Sequence, residues 1–441
     1  MMSTVREQVQ RIKSGELTSE SWVQQCLDRI ESTDDKVQAW AHLDPEHALE
    51  QAKNMDELRR RGQPTGPLHG VPVGIKDIID TQDFPTERGS SVYSKRQPEK
   101  DSAVIEKLKE AGAVILGKTV TTEFAFMNPS RTHNPHNLDY SPGGSSSGSA
   151  AAVAAAQVPL AVGSQTNGST IRPASYCGTY GYKPSRGMVS RRGVLETSPT
   201  LDQIGFFAQN LEDLSLICDA TSGYDTQDSM SYPEPKPNTH SGYASEPPIE
   251  PSFVWIDMPY RHQYSDTLNE GSEEFIEAMG DRIERIPAPQ SFADLLTCHK
   301  VIYTWELRQS LASEYEKHSD QLSAELNEAL QAADQYSQED YQSALGLMSN
   351  AESWFKQFFF DYDGILTPSA LGEPPAYGEG TGDPVCCTTW TLCGLPCIGM
   401  PLLEGEDGLP LGIQAVGAKY EDDRLFRSTR WLLKHLFPAD S

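Results

Sequence analysis

Apolar positions over the first sixty residues recur at helical spacing. Thr18 to Glu20 cap a segment in which Trp22, Val23, Cys26 and Ile30 share one face, so residues 1–60 read as amphipathic helices. Past residue 66 the period changes. VPVGIKDIID (71–80) and AVILGKT (113–119) are short apolar runs bounded by Gly, Pro and charge, as buried strands are. Between them, Asp101 to Ala111 is helical, with Val104, Ile105 and Leu108 on one side. An Ala-dense helix at 149–157 and a strand at VPLAVGS (158–164) repeat the order of helix then strand. Later strands are predicted at 253–257, 282–288, 364–370, 395–402 and 409–417, before a closing helix at 422–436. This alternation predicts an α/β architecture.

The polar segments divide the chain. Residues 128–149 are rich in Gly, Ser, Asn and Pro and read as loop. TNGST (166–170) is a tight turn after the third strand. Residues 230–251 carry many Pro and Ser and read as a surface loop. Residues 300–360, rich in Glu, Gln, Ala and Leu, read as a helical region on the substrate side. The whole chain, 1–441, is expected to form one domain: helices at 1–60, a core at 66–220, the Pro-rich loop, the helical region, and strands with a helix at 364–437.

Composition narrows the function. Lys and Arg number 36 against 63 Asp and Glu, a formal net charge of −27. That is the wrong sign for a nucleic-acid footprint or an anionic membrane surface, so no nucleic acid and no membrane is expected as a partner. No segment resembles a signal peptide or an apolar span, so a cytoplasmic location is expected. The 8 Cys include a cluster at Cys386, Cys387, Cys393 and Cys397 whose spacing misses the usual zinc patterns. Small buried thiols are expected there. His133 and His136 sit in a loop and match no metal frame, so no metal is expected.

Two patterns could carry chemistry. Gly144, Ser146 and Gly148 formally match G-x-S-x-G, but RTHNPHNLDYSPG makes a poor strand before it, which that motif needs. The second pattern is longer. VGIKD places Lys76 in a strand, GGSSSGSAAAVAAA follows, and then VPLAVGSQTNGSTIRPASYCGTYGYKPS. With these residues the chain resembles the amidase signature family of serine amidohydrolases, almost unbroken from Asn134 to Gly187. CGLPCIGMPL and GLPLGIQAVG resemble that family's late strands.

The resemblance implies a single-domain fold with a central twisted mixed β-sheet covered on both faces by α-helices. It implies a Ser–cisSer–Lys triad. Lys76 takes the Lys position, Ser145 the cis-Ser position after Gly144, and Ser169 the nucleophile position. The backbone N–H groups of Thr166, Asn167, Gly168 and Ser169 would form the oxyanion hole. Ser146, Gln165 and Arg172 would support the site, Arg172 by tying the loop with paired hydrogen bonds or touching substrate. Asp77 and Glu123 could orient the lysine or act as structural ion pairs. Thr121, Phe124 and Met127 are pocket or core candidates. Two departures from the family pattern stand out. Asn167 replaces a frequent Gly, acceptable because Asn tolerates positive φ. Gln165 stands where Asp is frequent.

The implied activity is cleavage of the C–N bond of a small carboxylic amide through an acyl-enzyme on Ser169, releasing ammonia or an amine, with no cofactor. Alternatives are an ammonia-generating A-type subunit of an amidotransferase complex and a non-catalytic member. A homodimer is the expected assembly.

Overall fold

The computed structural model describes residues 3–438. Eleven strands form one sheet. They are β1 (Trp40–Leu43), β2 (Pro72–Lys76), β3 (Val114–Thr119), β4 (Leu160–Gln165), β5 (Tyr180–Lys183), β6 (Gln203–Ala208), β7 (Phe253–Asp257), β8 (Ile283–Pro287), β9 (Gly364–Pro368), β10 (Cys397–Glu404) and β11 (Pro410–Val416). Their spatial order is β1-β3-β2-β4-β6-β5-β10-β11-β9-β7-β8. β2 runs parallel to β3 and β4, and β7 parallel to β8 and β9, while the other pairs are antiparallel. The sheet is therefore mixed, as the resemblance implied.

Alternation along the strands builds two cores. Phe253 and Trp255 enter one apolar cluster, while Val254 and Ile256 enter the other. Successive strand side chains point to opposite faces, so each face must be covered by helices. The first cluster joins the N-terminal helices and helix Leu211–Thr221 to the sheet. The second joins helices Phe292–Ser310, Gln338–Phe358 and Val385–Leu392.

Several expectations change. Residues 1–60 are not wholly helical: β1 interrupts them and pairs with β3. Residues 230–251 are not wholly loop, because helix Thr239–Ala244 forms there, capped by Asn238. The Ala-dense helix spans Ser147–Ala154 and so begins inside the Ser/Gly run. β5 and β6 complete the centre of the sheet where the apolar pattern predicts no strand. All eight cysteines are free and buried. No helix among the described residues is long and apolar enough to cross a membrane.

Register decides where the chemistry lies. β2 and β4 pair Ile75 with Val162, so their C-terminal ends carry Lys76 and Ser164 to one edge. β4 and β6 pair Gln165 with Gln203, which sets Asp202 beside Thr166. Ligand sites of open α/β sheets form at such strand ends.

Helix Ser147–Ala154 closes over this edge only because Gly148 lacks a side chain. A Cβ there would lie 2.2 Å from the Ala39 carbonyl oxygen and 2.4 Å from the Val120 nitrogen. Both are backbone atoms and cannot swing aside. Gly148→Ala is expected to destabilise the fold by about 1–3 kcal/mol, read as a lower denaturant midpoint. An unchanged midpoint would contradict the close packing.

Candidate active site

Lys76 ends β2 and is fully buried. Its Nζ lies 2.7 Å from Ser145 Oγ and 2.8 Å from Ser164 Oγ. Among the described residues no carboxylate lies within ion-pair distance of it. Burial therefore acts on the amine with little opposition and pushes it down to about 7, Asp202 pulling weakly the other way. Near neutral pH an appreciable share of such an amine is uncharged.

Two of its neighbours follow from the local backbone. The Gly144–Ser145 peptide bond is cis, as the resemblance implied. Ser145 is 1% exposed. Ser146, beside it, turns away from Lys76: its Oγ donates to the Ser164 carbonyl at 3.2 Å and accepts from the Ser164 N–H at 3.3 Å. It is a structural hydroxyl joining the loop to β4. No sequence motif points to Ser164, and only the parallel register of β2 and β4 reveals it.

Ser169 sits in the turn after β4 and is partly exposed. Among the described residues no hydrogen bond joins it to Ser145. The N–H groups of Thr166, Asn167, Gly168 and Ser169 also donate to no acceptor among the described residues. Free N–H donors beside a hydroxyl are the kind of groups that can stabilise a developing oxyanion.

The turn is held from several sides. Gln165 Oε1 accepts from the N–H groups of Thr170 (2.8 Å) and Ile171 (3.0 Å), capping helix Ile171–Tyr176. Gln165 Nε2 donates to Thr391 Oγ1 at 2.9 Å, and Thr391 Oγ1 donates to the Asn167 carbonyl at 2.5 Å. Asn167 does not use the positive φ expected of it. Its Oδ1 instead accepts from Thr388 Oγ1 at 2.8 Å, so the Asn adds an anchor to helix Val385–Leu392. Gly168 presses on the same helix, where a Cβ would come within 2.9 Å of Pro384 Cβ.

Thr166 is gripped twice. Its Oγ1 donates to Asp202 Oδ1 at 2.5 Å, and its carbonyl accepts from His299 Nε2 at 2.9 Å. Asp202 also accepts from the N–H groups of Thr197 and Ser198. Burial pushes its carboxyl above the ordinary Asp range, and these hydrogen bonds pull it back. Arg172 ties two loops together. Its guanidinium donates to the carbonyls of Gly144 (2.8 Å) and Gly382 (2.7 Å) and to Thr381 Oγ1 (3.2 Å).

Other sequence candidates lie outside this contact set. Asp77 pairs with Lys118, Oδ1 to Nζ 3.3 Å, rather than with Lys76. Glu123 accepts from the Ser323 N–H. Phe124 is core, and Met127 is exposed. His42, Asp77 and Glu87 bring ligand-type atoms within 4.8 Å of one another, the one such group among the described residues. Lys118 already supplies a cation there.

The chain is similar to known proteins over nearly its whole length. A family model described as Amidase matches residues 21–426. The A subunit of a glutamyl-tRNA(Gln) amidotransferase from Natranaerobius thermophilus is 34% identical over 465 residues, covering 96% of this chain and 94% of that one. A solved structure of a vestigial protein complex, tied to the origins of an s-triazine catabolic enzyme, superimposes with a TM-score of 0.92 at 25% identity, covering 98% of both chains. A peptide amidase bound to the competitive inhibitor chymostatin superimposes with a TM-score of 0.84 at 25% identity, covering 98% of this chain and 97% of that one.

The charge of Asp202 gives a test. It favours the protonated amine, so Asp202→Asn should move the acidic limb of the kcat/KM profile to lower pH, by about one unit or less. A limb that stays put or moves upward would contradict the coupling.

Proposed function

The chain belongs to the amidase family, and from that premise we propose that it cleaves an amide C–N bond through an acyl-enzyme on Ser169. The observation that carries the reading is the buried Lys76 amine, hydrogen-bonded to Ser145 and, among the described residues, in no ion pair. A serine hydroxyl attacks an amide poorly without a base. Neutral Lys76 takes the proton of Ser145, and Ser145 takes that of Ser169. Ser169 Oγ bonds to the carbonyl carbon, and the oxyanion settles against the N–H groups of residues 166–169. The C–N bond then breaks as the proton returns by the same path to the leaving nitrogen. Ammonia or an amine departs. Water, activated by the same relay, hydrolyses the ester on Ser169 and frees the acid. The reading needs no cofactor, takes a small carboxylic amide as substrate, and permits esters as a side activity.

A second reading has its own support. The Natranaerobius relative is an amidotransferase A subunit, matched over nearly its whole length. In that role the same half-reaction would release ammonia from an amide donor for a partner protein to use. The two readings share Ser169 and differ in donor and partner. Glutamine turnover that rises on adding the other amidotransferase subunits supports the second. Turnover of varied amides by the chain alone supports the first.

Ser169→Ala should lower amide turnover by about a thousandfold or more and abolish labelling by a fluorophosphonate probe. Full activity in the variant would remove Ser169 as nucleophile and turn attention to Ser145.

A further inference from the structure

Helix Phe292–Ser310 lies in a stretch that carries no recognisable motif, yet it reaches the turn at 166–169. His299, on its buried face and 2% exposed, sets its Nε2 at 2.9 Å from the Thr166 carbonyl oxygen. A carbonyl can only accept, so Nε2 carries the proton and Nδ1 is the bare nitrogen.

The geometry of the peptide bond gives this contact a consequence. In a trans peptide the C=O and the following N–H point in opposite directions. The one cis bond of the described chain is Gly144–Ser145, so the 166–167 peptide is trans. Holding the Thr166 carbonyl toward His299 therefore aims the Asn167 N–H the opposite way. The next peptide is held likewise, its Asn167 carbonyl taken by Thr391 Oγ1 at 2.5 Å. That aims the Gly168 N–H. Neither N–H has an acceptor among the described residues.

We infer that His299 is a positioning residue for the acyl-transfer reaction: by holding the Thr166 carbonyl it aims the Asn167 N–H at the oxyanion. The inference rests on the proposed role of Ser169. Two features suit His299 to the task. Burial pushes the imidazole down to about 4, so it is neutral at working pH and adds no positive charge beside the Thr166 carbonyl. Protonation at Nδ1 would leave the Nε2–H donor in place, so the grip itself does not titrate. Asp202 holds the same residue through Thr166 Oγ1, which steadies its side chain but not the plane of the following peptide.

The test uses His299→Phe, which keeps a ring and loses the donor, and His299→Gln, whose amide can reach the same carbonyl. A misaimed oxyanion donor should cost about tenfold to a hundredfold in kcat, with KM within about threefold. An aldehyde or boronic-acid analogue, which forms a tetrahedral adduct on Ser169, should bind His299→Phe more weakly by a similar factor. His299→Gln should recover about tenfold or most of the loss. The acidic limb of the pH profile should stay where the wild type has it, since Lys76 is untouched. A kcat equal to wild type in His299→Phe overturns the inference. So does a kcat loss that Gln does not restore while the tetrahedral analogue binds undiminished. If His299→Phe does not fold, His299→Gln and His299→Asn decide: Gln near wild type and Asn impaired supports the contact, and equal activity overturns it. Ser169→Ala is assayed alongside. Activity that survives Ser169→Ala overturns the reading of the site itself. Ser169-dependent activity indifferent to His299 overturns this inference alone.

Discussion

An amine held in the interior without a carboxylate against it is the constraint on which this site turns. Desolvation penalises the cation at Lys76, and among the described residues its hydrogen-bond partners are the hydroxyls of Ser145 and Ser164. A hydroxyl can accept from an ammonium or donate to a neutral amine, so both protonation states of Lys76 find partners. A carboxylate in the same place would hold the proton on lysine and end its use as a base. The strand register that delivers Ser164, and the Gly/Ser loop that delivers Ser145, are the structural means of keeping the pocket hydroxyl-lined.

Two other buried lysines show that burial alone does not make such a base. Lys118 is fully buried and lowered to about 8, but Asp77 stands 3.3 Å away and the carbonyl of Ile79 takes one of its hydrogens. Lys183, also lowered to about 8, donates to the carbonyls of Leu395 and Pro184 and to Gln203 Oε1. Carbonyl oxygens only accept, so these two amines serve as donors that tie β3 and β5 to their surroundings. Lys76 is distinguished by the chemistry of its partners more than by the depth of its burial.

The turn at 166–169 depends on both halves of the chain. Gln165, Thr388, Thr391 and His299 hold it from four sides, three of them contributed by residues beyond position 290. Part of this is legible in the sequence. Continuous apolar runs announce β2, β3 and β4, and the VGIKD strand, the Gly/Ser block and the NGS turn nominate Lys76, Ser145 and Ser169 through the family resemblance. β1 stays hidden because WAHL is short and lies between helices. β5 and β6 escape notice because YGYK and QIGFFA are brief and lie among loops. Ser164 and Asp202 gain meaning only from strand pairing, which no local pattern encodes. His299 lies in an amphipathic helix where one histidine looks like any core residue. Asn167 is legible as a departure, but its purpose differs from the one expected, since it anchors through its side chain rather than through an unusual backbone.

Lys76 can act as proposed only if it loses its proton near neutrality inside the folded protein. That loss can be measured directly by titrating protein labelled with 13Cε-lysine in NMR, with Lys76→Met assigning the resonance. A midpoint at about 7 is expected for Lys76. A midpoint near the ordinary lysine value of about 10.4 would contradict it, because a lysine charged at all working pH values cannot accept the proton of Ser145.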